Sequence, residues 1–350
     1  MTHTNNNRTL IIHKNISLKP FNTFGINVMA RTMLEVHDIE DLKEALAYEQ
    51  GKISAQPLII GGGSNILLLN NIARPVIRMK IAGIEKILEN DEHVYLKVGA
   101  GVNWHDFVMY CVQHEFAGVE NLALIPGSVG ASPMQNIGAY GVEAGDVLHE
   151  VAAVQVMDGE ETIFSRDDCK LGYRESIFKN ELKDRFVITN VTYRLNRFPM
   201  FNTSYGAIAK ELDEMDEGTL TIGSIARAVM NIRKSKLPDP SIIGNAGSFF
   251  KNPQITSDRY ELILKEFPDV VAYDLNNGYY KLAAGWLIEK CGWKGWREGD
   301  AGCHEKQALV LVNYGDASGE DILRVCEKIR ESVLAKFGVD LEKEVNVIER

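Results

Sequence analysis

The chain has 350 residues, room for two or three domains at roughly 150 residues each, and its 45% apolar and 25% charged residues exclude wholesale disorder. A formal net charge of −10 excludes a general nucleic-acid binder, which would carry a basic face, while a local basic cluster can still hold a small anionic substrate. Cys111, Cys169, Cys291, Cys303 and Cys326 are odd in number and contain no C-x-x-C pair, so neither a zinc site nor a disulfide framework is indicated and no metal is expected.

Residues 1–9 are expected to fray, and 1–8 are polar rather than a charged stretch followed by an apolar run, so no signal peptide is read there. No segment approaches the roughly 20 apolar residues that span a bilayer, and a reducing, cytoplasmic setting without membrane insertion is expected. Asp38 can cap a helix carrying Ile39, Leu42 and Leu46 on one face. Residues 57–60 read as a short buried strand that runs into Gly61-Gly62-Gly63-Ser64-Asn65. A strand at 94–98 is closed by Gly99 and Gly101, after which Asn103 caps a helix with Trp104, Phe107, Val108, Cys111 and Val112 on one stripe. Residues 121–141 interleave Gly127, Gly130, Gly138, Gly141, Pro126 and Pro133 with apolar side chains, a loop expected to be buried and of a length that is often functional.

Strands at 151–157 and 161–164 flank the turn signal Asp158-Gly159, and 186–195 is a further strand. The polar stretch 211–218 reads as a linker or excursion. Ser224 is expected to cap a helix with Ile225, Ala228, Val229 and Ile232 in line, ended by Pro238. A helix at about 282–291 and a strand at 308–312 follow. Ser318 with Asp321 resembles a capping box opening a helix through Ile322, Cys326, Ile329, Val333 and Phe337 to Gly338. The organisation is two α+β regions, roughly 15–200 and 220–340, with a last short strand near Val345.

Several of these segments can carry chemistry. Three glycines after a strand allow close backbone approach and a concave run of amide donors for phosphate oxygens, although a tight loop at a strand end needs the same residues. Neither a Walker A loop nor G-x-G-x-x-G is present, which disfavours a Rossmann site. Together with the donors of 121–141, the pattern points to a flavin dinucleotide more than to a mononucleotide. Arg233, Lys234 and Lys236 suit either a helix C-terminus or a diphosphate clamp, with nothing in the spacing to choose between them. Ser248 stands in Ala246-Gly247-Ser248-Phe249-Phe250-Lys251-Asn252, a hydroxyl between a glycine and two rings. A nucleophile elbow needs glycine two residues to either side, where Ala246 and Phe250 stand, and Ser64 and Ser128 fail the same test at Ile66 and Pro126. Chemistry other than acyl transfer is indicated if Ser248 reacts; a turn ahead of a buried Phe pair is the simpler reading. Arg174 and Glu344 read, on spacing alone, as solvated charges.

Assembled in order, these segments resemble the UDP-N-acetylenolpyruvoylglucosamine reductase family. The resemblance runs from Asn22-Thr23-Phe24-Gly25-Ile26 to about Val345. It rests on the 61–65 glycines, 125–130, 135–141, Tyr173-Arg174, 236–240, 244–253 and Gln307-Ala308, in the tyrosine-loop subgroup. It implies an α+β protein: a flexible N-terminus at 1–14, an FAD-binding domain of the vanillyl-alcohol-oxidase (PCMH) type at 15–200, and a substrate-loop linker at 201–220. A substrate-binding α+β domain at 221–340 and a terminal strand at 341–350 carrying a catalytic glutamate complete it. The family reduces the enolpyruvyl double bond of UDP-N-acetylglucosamine enolpyruvate to UDP-N-acetylmuramate for peptidoglycan, with FAD as cofactor and NADPH as reductant. Hydride comes from flavin N5 and negative charge develops on the adjacent carbon and its carboxylate.

By matching motif positions the resemblance assigns Ser248 as proton donor, with Arg174 and Glu344 stabilising the charge. Gly61, Gly62, Gly63, Ser64, Asn65, Gly127, Ser128, Gly130 and Gly138 would contact FAD. Tyr205, Lys236, Asn252 and Gln307 would contact the sugar nucleotide. A monomer is expected. The chain departs from the family pattern at Lys343, where proline is usual, and at Asn346, where a basic residue is common. A flavoprotein of the same fold acting on another substrate, or an inactive nucleotide-binding homologue, are the alternatives.

Overall fold

The computed structural model describes residues 10–48, 56–215 and 218–349, so the fraying expected at 1–9 lies outside the described residues. The chain folds as two units. The first takes the described parts of Met1–Ile16, Met29–Gly62 and Ile72–Ile232; the second takes Ser17–Val28, Gly63–Asn71 and the described part of Arg233–Arg350. The first unit therefore runs past the expected linker at 201–220, and two short N-terminal segments belong to the second.

In the first unit, strands Ile11–Ser17, Met29–Val36, Val76–Met79 and Leu58–Ile60 form one sheet in that order. Val76–Met79 is parallel to both of its neighbours. The stretch expected to be flexible through residue 14 thus enters a strand at Ile11, where Lys14 donates to Thr32 Oγ1 at 3.0 Å and to the Tyr48 hydroxyl at 2.9 Å. Helix Ile39–Ala47 starts on Asp38, whose side chain accepts from the Asp41 amide at 2.9 Å. A second, antiparallel sheet runs Glu161–Ser165, Leu148–Gln155, Phe186–Asn196, His93–Gly99 and Ile84–Glu89.

A single apolar core joins these elements with helix Trp104–Gln113 and with Leu122, Ala123 and Val129 of the 121–141 loop. The loop, expected to be buried, is only partly so: Asn121, Leu122, Ala123, Ser128, Val129, Ser132 and Asn136 are buried, whereas Pro126, Ala131, Met134 and Gly141 are exposed. It is anchored by two polar tips of core aromatics: Trp104 Nε1 donates to Leu122 O at 2.9 Å, and the Tyr193 hydroxyl lies 2.6 Å from Ser132 Oγ. Burying rings of this size removes large apolar areas from water, provided the N–H or O–H finds a partner.

Two expectations in this region are corrected. Residues 211–214 belong to helix Gly206–Glu214, because Ile208 is fully buried in the first unit's core and Leu212 packs one turn on. Residues 216–217 lie outside the described residues. The next helix, Ile222–Lys236, begins before Ser224, and Thr221 caps it instead. Thr221 Oγ1 accepts from the Ser224 amide at 3.0 Å while Ser224 Oγ accepts from the Thr221 amide at 2.8 Å. Ser224 is thus the third helical residue of a reciprocal box. Ile225, Val229 and Ile232 on this helix enter the first core, which carries that unit through to Ile232.

The second unit has a sheet in the order Gly244–Ser248, Val310–Asn313, Ala301–Cys303, Arg297–Glu298 and a three-stranded sheet of Gln254–Thr256, Tyr279–Leu282 and Ala272–Asp274. Helix Ser257–Glu266, which the sequence reading left out, follows the first strand of that smaller sheet. Helix Gly319–Phe337 has the expected capping box on Ser318 and Asp321 and ends on Gly338 at φ +60°. The last strand, Asn346–Ile348, pairs in parallel with Ile66–Leu68.

Candidate active site

Strand Leu58–Ile60 delivers the glycine run directly against the 121–141 loop. A Cβ on Gly61 would stand 2.0 Å from Ser128 Oγ, and one on Gly62 would stand 3.0 Å from Gly127 Cα. A side chain at Gly61 would thus displace the Ser128 hydroxyl, and one at Gly62 would crowd the Gly127 backbone. Gly130 is held the same way, with a Cβ position 2.6 Å from the Ala100 Cβ, and its amide donates to Ala100 O at 2.9 Å. Bonds from Trp104 N to Gly127 O and from Val129 N to Val102 O fix the loop on either side of Ser128. They leave the amides of Gly61, Gly62, Gly127 and Ser128 without a hydrogen bond among the described residues. Two adjoining stretches of unused backbone donors form a ready site for phosphate oxygens.

Arg174, expected only from resemblance, sits at φ +57°, a left-handed conformation that costs a non-glycine residue about 1 kcal/mol or more. Its guanidinium donates to Gly138 O at 2.6 Å and to Asn136 O at 3.4 Å, which ties it to the loop carrying Gly138. Asn136 is buried and organises that loop: its Oδ1 accepts from the Gly145 amide at 2.8 Å and its Nδ2 donates to Glu143 Oε2 at 2.6 Å and Gly172 O at 3.1 Å. The sequence reading missed Asn136 as a site-building residue; its one signal is an amide, next to Gln135, inside a glycine-rich apolar stretch. Tyr205 immediately precedes helix Gly206–Glu214 and packs edge-on against Tyr140, with ring centroids 5.3 Å apart.

In the second unit, Gly63 has φ +61° and a Cβ position 2.0 Å from Phe21 O, so both conformation and space require glycine. Asn65 Nδ2 donates to Glu344 O at 3.2 Å, and the Asn346 amide donates to Asn65 O at 3.0 Å, so the 63–65 turn and the terminal segment hold each other.

Ser248 ends strand Gly244–Ser248 at a bulge: Asn245 and Ser248 both pair with Val310–Asn313, and the two residues between them are out of register. Gly247 takes φ +70° there. Buried Asn245 holds the bulge, accepting from the Gly247 amide at 3.0 Å and donating to Pro238 O and Ile243 O at 3.2 and 2.9 Å. Phe249 and Phe250 are fully buried, the apolar anchor expected after the serine. Ser248 itself is half-buried, and its hydroxyl makes no hydrogen bond among the described residues.

Glu344 lies on the neighbouring segment, its amide donating to Phe249 O at 2.8 Å. The Lys251 amide donates to Glu342 O at 2.9 Å, which brackets a bridge between Phe250 and Lys343. Neither bond uses the Lys343 amide, so a residue other than proline changes nothing in the pairing that sets Glu344. The Lys343 ammonium is held by Glu327 at 2.8 Å. Asn346 Nδ2 donates to Asn65 O at 3.2 Å.

Lys236 is the last residue of helix Ile222–Lys236 and is exposed, with no ion pair among the described residues. Asn252 Oδ1 accepts from the Ala284 amide at 2.9 Å, and Gln307 Oε1 lies 3.0 Å from where a Gly285 Cβ would be, so these two meet at the start of helix Ala284–Lys290. Beside Gln307, burial holds the His304 imidazole below its usual range, and its Nδ1 accepts from the Lys306 amide at 3.4 Å. Burial pushes the thiols of Cys169, Cys303 and Cys326 up to about 12, which leaves them inert rather than nucleophilic. Among the described residues no His, Cys, Asp or Glu cluster is set to hold a metal, and no helix is long and apolar enough to cross a membrane.

Comparison with known proteins bears on this set of residues. Residues 239–348 match the C-terminal domain of UDP-N-acetylenolpyruvoylglucosamine reductase, and residues 30–165 match an FAD binding domain. A UDP-N-acetylenolpyruvoylglucosamine reductase from Pseudomonas savastanoi pv. phaseolicola is 48% identical over 339 residues, covering 97% of this chain and 99% of the relative. One from Flavobacterium johnsoniae is 46% identical, with 96% and 99% covered. The structure of UDP-N-acetylenolpyruvylglucosamine reductase from Thermus caldophilus aligns with TM-score 0.67 at 24% identity over 97% of this chain and 99% of that one. That of 6-hydroxy-D-nicotine oxidase from Arthrobacter nicotinovorans aligns with TM-score 0.54 at 13% identity over 99% and 91%. The fold is an FAD-binding domain of the vanillyl-alcohol-oxidase type joined to a C-terminal α+β domain. FAD fits the residues present, since the unused amides of Gly61, Gly62, Gly127 and Ser128 supply the donors a dinucleotide's phosphates need.

Proposed function

Because the chain belongs to the UDP-N-acetylenolpyruvoylglucosamine reductase family, we propose that it reduces the enolpyruvyl double bond of UDP-N-acetylglucosamine enolpyruvate to UDP-N-acetylmuramate, with NADPH as reductant, for peptidoglycan precursor synthesis. The observation that carries this reading is 48% identity sustained over 97% of the chain. When bound, FAD supplies the hydride that NADPH provides. Gly61, Gly62, Gly63, Ser64, Asn65, Gly127, Ser128, Gly130 and Gly138 are the residues we assign to holding it.

The rest of the reaction is assigned to side chains. Once the terminal carbon of the double bond gains hydride, the adjacent carbon carries an electron pair shared with its carboxylate. Arg174 and Glu344 stabilise that charge. The Ser248 hydroxyl gives its proton to the carbon, closing the C–H bond. A serine is a feeble acid in water, but an enolate carbon is a strong base, so the transfer is downhill. That the hydroxyl makes no competing hydrogen bond among the described residues supports the role. Lys236 neutralises the substrate diphosphate, and Tyr205, Asn252 and Gln307 hold the sugar nucleotide.

The test is anaerobic and reads each half of the cycle separately. The purified protein should be yellow, bleach with NADPH, and recover its colour when the enolpyruvyl sugar nucleotide is added. Protein that takes up no FAD on reconstitution would refute the flavoenzyme reading. Bleaching without recovery would assign the fold to another substrate.

A further inference from the structure

Two asparagines outside the assigned machinery join the 138–141 loop to the segment before Tyr205. Asn121 is almost completely buried, and its single amide nitrogen donates to two carbonyls distant in sequence: Tyr140 O at 3.1 Å and Asn202 O at 2.9 Å. Asn202 returns the connection, its own Nδ2 donating to Gly141 O at 3.0 Å. Its Oδ1 also accepts from the Ser204 amide at 3.2 Å and from Ser204 Oγ at 2.7 Å, a tight turn leading straight to Tyr205.

The loop side is shaped to receive this contact. Tyr140 and Gly141 have φ of +51° and +80°, and a Cβ on Gly141 would lie 3.1 Å from Asn202 Nδ2. Tyr205 then packs edge-on against Tyr140, and Ile208, buried in the helix that follows, fixes the far side. Upstream, Phe198 and Met200 are 71% and 87% exposed, while Phe201, next to Asn202, packs against the core.

We propose that Asn121 and Asn202 are positioning residues for Tyr205: they clamp residues 202–204 onto the 138–141 loop and so preset the phenol for the sugar nucleotide. The inference rests on the reading that Tyr205 contacts substrate. An unclamped segment would have to be ordered when substrate binds, and that ordering would appear as weaker binding.

The test combines two readouts. Asn202→Ala should raise KM for the enolpyruvyl sugar nucleotide about 3- to 30-fold, within the range of couplings between contacting residues, with kcat changed less and the NADPH half-reaction unchanged. In a Tyr205→Ala background the same substitution should add nothing. An unchanged KM in Asn202→Ala, or an equal rise in both backgrounds, overturns the proposal. Limited proteolysis at Phe198 and Phe201 reads the clamp without substrate: cleavage should be faster in Asn202→Ala, and an unchanged rate also overturns it. If Tyr205→Ala alone leaves KM unchanged, the substrate role of Tyr205 fails, whatever proteolysis reports about the clamp.

Discussion

Ser248 shows how little a motif says about its own geometry. Its neighbours in sequence are a glycine and two phenylalanines, and both have clear structural work: Gly247 supplies φ +70° and the rings anchor the strand end in the core. The part that frees the hydroxyl is Asn245, whose three side-chain bonds hold the bulge, and no spacing rule points to it. The turn ahead of a buried Phe pair and the reacting hydroxyl are therefore compatible, since the first builds the setting for the second. Ser248→Ala removes one oxygen that makes no hydrogen bond among the described residues, so the fold should be unaffected. We expect flavin reduction by NADPH to survive and turnover of the sugar nucleotide to fall by about 10² to 10⁴. Stopped-flow absorbance of each half-reaction checks this, and near-normal turnover would remove Ser248 from its role. Arg174 marks the limit of residue-level reading: its left-handed backbone and its bond to Gly138 O are invisible in a run of ordinary charged residues.

Elements were legible where their stop and start signals are local. The box on Ser318 and Asp321 is read directly from spacing and is present, with the Asp321 amide donating to Ser318 Oγ at 3.2 Å. Ser318→Ala should cost about 1 kcal/mol, measured by chemical denaturation against wild type. The helices at 206–214 and 222–236 were less legible. A short polar helix shows one buried residue, Ile208, and a serine inside a reciprocal box looks like the cap itself. The parallel sheet of the first unit holds a further test. Glu35 is opposed by Lys80 and Arg78 at 3.3 Å each, with His13 and His37 at 3.3 and 3.6 Å. Burial raises its carboxyl more than any single partner lowers it, yet Lys80, Arg78 and His13 together bring it below its ordinary value of 4.5. A carboxylate with a lowered folded-state value contributes stability that is full above the ordinary range and lost as pH falls through the lowered value. Glu35→Gln should therefore be less stable than wild type by about 1–2 kcal/mol near pH 7. Denaturation curves taken at successively lower pH should converge once Glu35 is protonated in both states, and a constant difference would deny the ion cluster its role.

At the scale of the molecule, FAD should behave as part of the stability of the chain that binds it. A ligand that binds only the folded state adds RT ln(1 + [L]/Kd), about 2.7 kcal/mol at a hundredfold excess over Kd. Flavin-free protein should therefore melt at a lower temperature and recover on adding FAD, as read by differential scanning calorimetry. A melting temperature indifferent to FAD would contradict the donor site built from Gly61, Gly62, Gly127 and Ser128. The sequence by itself determined the α+β class, most helix and strand positions, and the family with its motif residues. The class and the element positions follow from apolar period, caps and turns, which depend on neighbours a few residues away; the family follows from the resemblance of its motifs. Tertiary structure alone decided that Gly61 meets Ser128, that Asn121 and Asn202 hold one segment from two sides, and that residues 17–28 and 63–71 belong with the C-terminal unit. It also decided that Lys343 leaves the setting of Glu344 intact, because the ladder there does not use its amide. Such contacts join residues far apart in the chain, where close backbone approach and hydrogen-bond satisfaction, not local preference, choose the partner.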